Sequence, residues 1–290
     1  MSDPADPTLS GRRLALELRR LRDHVRLTGT EAAERLGWSE SKISRIELHR
    51  TGVKKGDLER LLDLYEVTDP HRGELLALAK EARVKSELGV ATAGFPSDYT
   101  DYLRAEAEAR SVWNWEPLIV PGLLQTEEYA RAVFRGWQAM FAVPPGDGER
   151  RAQTRQVRRQ ALTRESPLEL SVVIDESVLY RRFGGKAVMR EQFELLIKDS
   201  ALPNVDVRIL PLEGDHPIGT GAFSFMQFPP SRGVPLPDRV SVEHLEDSHY
   251  LDVEEETHRY RVAFEHLIAN SHDPGKSRDL IARVARDRWT

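Results

Sequence analysis

The sequence predicts an all-α domain of five helices followed by a larger α+β domain with a mixed sheet. Three observations support this fold class. The length of 290 residues corresponds to about two domains. Apolar residues recur with helical spacing up to about residue 86, and strand-like runs alternate with helical ones beyond residue 98. We therefore divide the chain into a disordered N-terminus (1–11), a helical domain (12–85), a linker (86–97) and an α+β domain (98–290).

The first helix is predicted over residues 12–26. Its apolar side chains follow one another at i, i+4, i+7 and i+11 and form one stripe: Leu14, Leu18, Leu21 and Val25. A short second helix follows, for which Thr28 or Thr30 can serve as the N-cap. Gly37 ends this helix, since glycine readily adopts the left-handed conformation of a helix C-terminus.

A third helix begins at Ser39 and turns Ile43 and Ile46 towards the interior. Two more helices at 55–66 and 71–86 complete the domain. Beyond the Gly-, Ala-, Ser- and Pro-rich linker, strands are predicted at 168–174, 205–210, 222–228 and 239–245. Helices are predicted at 98–110, 126–140, 148–163, 186–200, 253–270 and 276–288.

The composition excludes several classes of protein. Cysteine is absent, which excludes disulfides, thiolate metal sites and a cysteine nucleophile and fits a reducing cytosol. The sequence contains no apolar run of the roughly 18–20 residues that a membrane span needs, and its first residues lack the apolar centre of a signal peptide. We therefore expect a cytoplasmic protein that has no membrane partner.

The net charge of −5 is unevenly distributed. Residues 10–86 contain 17 basic and 13 acidic side chains, whereas the rest of the chain contains 25 basic and 34 acidic ones. The helical domain thus carries a net charge of +4, and the remainder carries −9. A basic module joined to an acidic one is expected when the first binds nucleic acid, although +4 is small enough to arise by chance.

The strongest motif is the segment from Thr30 to Glu47, TEAAERLGWSESKISRIE. Ala32 and Ala33 are small enough for two helices to cross closely, and Gly37 tolerates a tight turn between them. An apolar inner face on the second helix leaves the outward residues of its N-terminal half available for a groove of DNA. This is the pattern that a helix-turn-helix requires.

The segment resembles the phage-repressor-like (Cro/cI, XRE) family of helix-turn-helix regulators over about residues 12–68. The resemblance implies a regulator that binds double-stranded DNA and reads the major groove with helix 39–50. The implied base-reading residues are Glu40, Ser41, Lys42 and Arg45. The implied phosphate contacts are Thr30, Arg50, Lys54 and Lys55.

Other interpretations of these side chains stay open. Glu40 can equally be a solvated carboxylate at a helix start. The flanking basic residues can be ordinary exposed charges. Glu47 is expected to be structural and to pair with Arg19, Arg20 or Arg35 inside the domain.

The larger domain carries a second set of motifs. They are W-x-W-E-P-L-I-V-P-G-L-L-Q-T-E-E-Y-A from Trp113 to Ala130, R-R-Q at 158–160, I-D-E-S-V-L-Y-R at 174–181 and V-E at 242–243. They resemble the uncharacterised domain that follows the helix-turn-helix in many regulators of high-GC Gram-positive bacteria. That group is described as antitoxin-like or developmental and is often encoded beside a small partner protein. The strand Arg239–Glu243 departs from the expected pattern and can pack differently.

Several residues of this domain are candidates for contact with a ligand or partner: Trp113, Trp115, Arg155, Arg159 and Glu176. The two arginines belong to a basic helix face with Arg151 and Arg158, which could hold an anion or be a solvated surface. The tryptophans are most simply core residues that could also line a pocket. Asp175 and Glu176 end a predicted strand, where paired catalytic carboxylates or a simple turn are both possible.

We expect no metal site and no cofactor. His216, His244, His249 and Asp252 have the residue types for a metal site, but His244 and His249 are five apart and would point to different faces of a helix. Phosphate-binding glycine loops and a serine nucleophile elbow are absent from the sequence. We therefore expect no enzymatic activity.

Taken together, the residues and resemblances predict a sequence-specific transcription regulator that acts as a homodimer. Its C-terminal domain is expected to sense a small-molecule effector or a small partner protein. The alternative is an antitoxin-like interaction protein that binds its partner through residues 95–285 and autoregulates its own operon.

Overall fold

The computed structural model describes residues 9–48, 51–87, 95, 97–141, 145–214, 216, 219–229, 236–243 and 248–289. The chain divides into two compact units. The first unit comprises the described residues of Met1–Glu108 and Pro229–Leu236, and the second comprises those of Ala109–Phe228 and Pro237–Thr290. Among the described residues, no helix is both long and apolar enough to cross a membrane.

The first unit is all-α. Its helices are α1 (Leu9–His24), α2 (Gly29–Leu36), α3 (Glu40–Glu47), α4 (Lys55–Leu64), α5 (His71–Glu87) and α6 (Ser97–Glu108). The five predicted helices are present, and helix α1 starts at Leu9, three residues before its predicted start. Most of the predicted linker, residues 88–94 and 96, lies outside the described residues, and the predicted domain boundaries stay a prediction.

One hydrophobic core holds α1 to α5 together. The stripe on α1 contributes Leu14 and Leu18, and Leu58 and Leu62 of α4 and Leu75 of α5 pack in the same cluster. These side chains are almost completely buried, which is the main source of stability for such a small domain. The helical spacing read from the sequence therefore identified the inner faces correctly.

The second unit is an α+β domain around a six-stranded mixed sheet. Its strands are β1 (Ser111–Glu116), β2 (Glu169–Asp175), β3 (Val205–Leu210), β4 (Phe223–Gln227), β5 (Arg239–Glu243) and β6 (Ser248–Leu251). Its helices are α7 (Glu127–Phe141), α8 (Pro145–Arg159), α9 (Lys186–Asp199), α10 (Glu254–Asn270) and α11 (Pro274–Trp289). The four predicted strands are present, whereas β1 and β6 were not predicted.

The strand order is β3-β2-β1-β4-β5-β6. Strands β1, β2 and β3 are parallel to one another, while β4, β5 and β6 are each antiparallel to their neighbours. Helices α7 and α8 connect β1 to β2, and α9 connects β2 to β3. The chain thus builds the sheet outwards from β1 on one side and then returns to add β4 on the other side.

Helix α10 packs on one face of this sheet. The indole of Trp113 in β1 stacks on Phe225 of β4, with 4.8 Å between ring centroids, and on Phe264 of α10, at 5.4 Å. Because side chains alternate along a strand, the neighbours of Trp113 in β1 point to the opposite face. That opposite face includes Asn114 and Glu116.

Candidate functional site

A tight turn joins α2 to α3. Glu31 donates its backbone N–H to the Thr28 hydroxyl at 3.2 Å, and its carboxylate accepts from the Thr28 backbone N–H at 2.7 Å. This reciprocal capping box fixes the start of α2 and identifies Thr28, rather than Thr30, as the N-cap. At the other end, Gly37 has a φ of +66°, the left-handed conformation in which glycine avoids the steric strain of a side chain.

Helix α3 then begins at a cap of its own. The Lys42 backbone N–H donates to the hydroxyl of Ser39 at 3.3 Å. Ala32 and Ala33 of α2 are fully buried, as are Ile43 and Ile46 of α3. The inner and outer faces of the two helices are therefore those predicted for a helix-turn-helix.

A buried ion pair fixes α3 against α1. Arg22 donates from Nε to Oε1 of Glu47 at 2.7 Å and from Nη2 to Oε2 at 2.9 Å. Its Nη1 also donates to the carbonyl oxygen of Leu27 at 2.7 Å. The hydrogen bond to Glu47 raises the pKa of Arg22 above its ordinary value, and the two side chains are only 12% and 8% exposed. A bidentate pair in this setting orients α3 as well as holding it.

The structural role predicted for Glu47 is confirmed, but the predicted partners were wrong. Arg22 lies one helical turn after the buried Leu18 and therefore faces the interior of the unit. Arg20, one of the expected partners, instead binds Glu17 of its own helix at 2.5 Å. The i, i+4 relation to Leu18 was the signal in the sequence that could have identified Arg22.

The outward face of α3 is polar and exposed. Three of the four predicted base-reading residues, Glu40, Ser41 and Arg45, lie on it with exposed side chains. Ser44, which is not among the predicted base-reading residues, is exposed there as well. The hydroxyl of Ser41 shares a hydrogen bond with that of Ser39 at 3.1 Å, and this face can donate and accept further hydrogen bonds.

Lys42 differs from the other predicted base-reading residues. Its ammonium lies 3.0 Å from Oδ2 of Asp57 in α4 and 3.6 Å from the centre of the Trp38 ring. The guanidinium of Arg60 approaches the same ring at 5.2 Å. Lys42 thus binds within the unit, so any contact it makes with DNA competes with an ion pair and a cation–π interaction.

The predicted phosphate contacts lie around these helices. Thr30 is exposed in the first turn of α2, beside the carboxylate of Glu31. Lys54 is exposed at the N-cap of α4, and Lys55 is exposed with Glu59 at 3.8 Å. Arg50 lies outside the described residues. All four contacts with phosphate stay predictions.

In the second unit, the structure places Trp113 and Trp115 in the hydrophobic core. Trp115 is almost fully buried, and its indole N–H donates to the carbonyl oxygen of Thr220 at 3.3 Å. Trp113 stacks between β4 and α10 as described above. Packing explains both side chains, and their contact with a ligand or partner stays a prediction.

The two arginines named as candidates have different surroundings. Arg159 donates to Asp199 of α9 at 2.6 Å and thereby joins α8 to α9. The guanidinium of Arg155 lies against Gly122, where a Cβ would come within 2.8 Å of Nη1, and 5.5 Å from the centre of the Phe134 ring. Its buried Nε has no hydrogen-bond partner among the residues that the structure describes. Arg155 is therefore the better candidate for an anion.

The carboxylates of Asp175 and Glu176, at the end of β2, hold turns of the chain. Glu176 accepts from the backbone N–H of Leu212 at 3.0 Å and from the Tyr180 hydroxyl at 3.2 Å. Asp175 accepts from the backbone N–H of Ser177 at 2.9 Å. These contacts account for both residues as turn-stabilising groups.

Within the described part of the chain, no three His, Cys, Asp or Glu side chains are placed to hold a metal ion. Of the residues considered as ligands, His216 has its Nδ1 3.9 Å from Oδ2 of Asp175. His244, another residue with the chemistry of a metal ligand, lies outside the described residues.

Comparison with protein families gives two matches. Residues 99–283 match the family described as a domain of unknown function (DUF5753), which is more than half of the chain. The chain belongs to the DUF5753 family. Residues 13–75 match a helix-turn-helix domain. No curated protein and no solved structure matches the chain.

The two family matches cover different parts of this DUF5753 protein. The helix-turn-helix match spans α1 to α4, so it includes the capping box, the Gly37 turn and the Arg22–Glu47 pair. The DUF5753 match contains all six strands of the sheet. Together they support a helix-turn-helix regulator whose larger domain has no assigned activity.

Proposed function

We propose that this DUF5753 protein is a sequence-specific transcription regulator of the Cro/cI (XRE) type, which inserts α3 into the major groove of double-stranded DNA. The observation that carries the proposal is the exposed polar face of α3, held in a fixed orientation by the buried pair of Arg22 and Glu47. An exposed helix face on a rigid support is what base recognition requires, since hydrogen-bond geometry with the base edges has to be set before contact.

Arg45 is the central residue of this proposal. Its exposed guanidinium can donate two hydrogen bonds to O6 and N7 of a guanine, which is the most common specific contact in the major groove. Ser41 and Ser44 lie on the same face and can bond to base edges or phosphates. Lys42 contributes less in this arrangement because Asp57 and Trp38 already hold its ammonium.

We further propose that the protein acts in the cytoplasm as a homodimer. A single helix-turn-helix module buries too little surface for high affinity, so two copies on a pseudo-palindromic site are expected. The DUF5753 domain receives the signal, either from a small molecule or from a small partner protein, as an antitoxin-like regulator would. It acts by binding and not by catalysis, since Asp175 and Glu176 are engaged in turns.

Substitution of Arg45 tests the proposal. An operator is first selected from random duplex DNA with the full chain, and binding is then measured by fluorescence anisotropy. We expect Arg45→Ala to cost about 1–3 kcal/mol and to relax the preference at one base position.

Arg259→Ala is the matched control. Arg259 is an exposed arginine of α10, and its guanidinium lies 3.2 Å from the carboxylate of Glu255 in the same helix. Its removal is expected to leave the operator affinity and preference unchanged. If Arg45→Ala also left both unchanged, the assignment of α3 as the recognition helix would be wrong.

A further inference from the structure

An ion pair joins α3 to the first turn of α4. Nζ of Lys42 lies 3.0 Å from Oδ2 of Asp57, and the two side chains are 32% and 24% exposed. Lys42 precedes the buried Ile46 by four residues, so it lies along the edge of the inner face of α3. Asp57 stands in the same relation to the buried Leu61 of α4. The pair therefore forms at the surface, along the line where the two helices approach each other.

The ring of Trp38 completes the surroundings of this ammonium group. Nζ of Lys42 lies 3.6 Å from the centre of the Trp38 ring. The guanidinium of Arg60, 5.2 Å from the same ring, donates to the carbonyl oxygen of Leu36 at 2.5 Å. A carboxylate and an aromatic ring of the first unit thus both attract the charge of Lys42.

Asp57 also lies close to two lysines that are predicted to contact phosphate. Lys54 is the N-cap of α4 and Lys55 is its first residue, so Asp57 belongs to the same turn of the helix. A carboxylate at this place repels the phosphates that the lysines are predicted to bind. The ammonium of Lys42 compensates that charge, and the carboxylate in turn withholds the ammonium from solvent and from DNA.

Stability alone gives little reason for this pair. A partly exposed ion pair contributes little to folding, because water already solvates both charges in its absence. The expected effect on DNA binding is larger. A lysine that neutralises one phosphate releases counterions, and this makes the affinity about threefold more sensitive to a change from about 50 to 200 mM salt.

We propose that Asp57 is a specificity-determining residue of the DNA-binding surface, because it holds Lys42 within the protein and prevents a phosphate contact. Phosphate contacts form on any duplex and carry no sequence information. With Lys42 held, binding depends more strongly on the base contacts of Arg45. This inference rests on the proposal that α3 binds DNA. It changes the role of Lys42 from base reading to a phosphate contact that Asp57 restrains.

Binding of the full chain to a duplex of random sequence tests the role of Asp57. Asp57→Asn keeps the size of the side chain and removes its charge. We expect this variant to bind the random duplex about three- to tenfold more tightly than the wild type at about 0.1 M potassium chloride. The slope of log affinity against log salt should steepen by about 0.9 per protomer, a change that a purely structural ion pair would not cause.

The affinity of the same variant for the selected operator should rise less. Base contacts fix the register of α3 on the operator and so restrict which phosphates the freed ammonium can reach, whereas any register is available on random DNA. The ratio of the two affinities is therefore expected to fall at least about twofold. Unchanged or weaker binding to the random duplex, or an unchanged ratio, would overturn the proposal.

Two further variants separate this effect from that of net charge. Asp63→Asn makes the same change of charge in the last turn of α4, where the Asp63 carboxylate lies 2.8 Å from Nη1 of Arg72. It is expected to leave the affinity for random DNA within about twofold. The double variant Lys42→Gln, Asp57→Asn has the net charge of the wild type but lacks the ammonium, so the gain should vanish. A gain that persists there, or that Asp63→Asn shows equally, would overturn the proposal.

Urea unfolding shows whether the variants are folded. Loss of a partly exposed pair should leave the urea midpoint of Asp57→Asn close to that of the wild type. If this variant unfolds early, Asp57→Ser, which is shorter and also lacks the charge, replaces it in the same measurements.

Arg45→Ala on the same two duplexes separates the two proposals. If Arg45→Ala loses operator affinity but Asp57→Asn binds both duplexes as the wild type does, only the role of Asp57 is wrong. If Asp57→Asn gains affinity for random DNA but no operator can be selected, sequence-specific regulation is wrong and the effect of Asp57 on phosphate binding stands. If the full chain binds neither duplex, both proposals are wrong.

Discussion

At the scale of single residues, the Arg22–Glu47 pair orients α3 more than it stabilises the first unit. Two long side chains are withdrawn from water and satisfied by two mutual hydrogen bonds and a third to a backbone carbonyl. Such a pair contributes little net stability compared with apolar residues, but removal of one partner leaves a buried charge. Its main effect is to fix the orientation of α3, which carries the exposed face.

Removing one member of this pair is expected to cost more stability than replacing both members by apolar residues. Glu47→Ala should lower the free energy of unfolding of the first unit by about 3 kcal/mol, because Arg22 stays largely buried and keeps only the exposed carboxylate of Asp23, 2.8 Å from its Nη1, as a counter-charge. The apolar double variant Arg22→Met, Glu47→Leu should recover most of the lost free energy of unfolding, because it leaves no buried charge. The same variant should bind the operator more weakly, because α3 loses the pair that orients it. Urea unfolding and anisotropy measure the two effects. A double variant as unstable as Glu47→Ala would contradict the interpretation.

Glu116 makes the stability of the second unit depend on pH. Its pKa is raised by burial and by Glu243, so the folded state binds a proton more tightly than the unfolded state. Between the ordinary pKa and the raised one, the folded state therefore loses stability as pH rises. Glu116→Gln removes this titration and should unfold at higher urea concentration than the wild type at about pH 8, with a smaller difference at about pH 5. Equal urea midpoints for the two proteins at both pH values would contradict the assignment.

At the scale of elements, the α2–α3 turn depends on the backbone of Gly37. A Cβ built there meets no atom within 4 Å, so the cost of a side chain comes only from its φ of +66°. Gly37→Ala should therefore destabilise the first unit by about 1 kcal/mol, and Gly37→Asn by less, since asparagine tolerates this conformation.

Gly29→Ala is the control for this effect. Gly29 also has open space around its Cβ position, but it lies in the first turn of α2 without a positive φ. Alanine there should be neutral or slightly stabilising. Urea unfolding of both variants distinguishes backbone strain from a general effect of adding a methyl group.

The elements that could be predicted from the sequence are those with a local signal. Helices α1 to α5 follow from apolar spacing. Gly37 marks the turn because glycine readily adopts the left-handed conformation that the turn needs. Strand β1 was missed because Asn114 and Glu116, on the face away from α10, interrupt the apolar pattern that predicts a buried strand. Strand β6 was missed because it is a four-residue edge strand in an acidic segment.

Residues whose role depends on distant contacts could not be predicted in the same way. Lys42 looks like an outward residue of α3, and only the approach of Asp57 from α4 shows that its ammonium is held. Glu116 and Glu243 are far apart in sequence. They become neighbours across β4 because β1 and β5 lie on either side of that strand. Sequence spacing carries no information on such pairings.

At the scale of the whole molecule, the uneven charge sets how the chain meets DNA. The helical segment 10–86 carries +4 and the rest −9, so the long-range field of the protein does not attract DNA as a whole. Under the proposed function, the affinity for DNA has to come from short-range contacts of α3 and its flanks, and two copies on one site would double these contacts. A dimer with two fixed recognition helices makes a geometric prediction about its operator.

The two half-sites should be about 34–36 Å apart, one turn of B-DNA or about 10–10.5 bp from centre to centre. Insertion of about 5 bp between them moves the second half-site to the opposite side of the helix, so the second recognition helix loses its groove. We expect affinity to fall at least about tenfold, towards that of a single half-site, because one set of base contacts is lost. Fluorescence anisotropy with the original duplex and with the duplex that carries the insertion measures the two affinities. Sedimentation counts the protomers bound to each duplex. Equal affinity for both duplexes would mean that the copies bind independently.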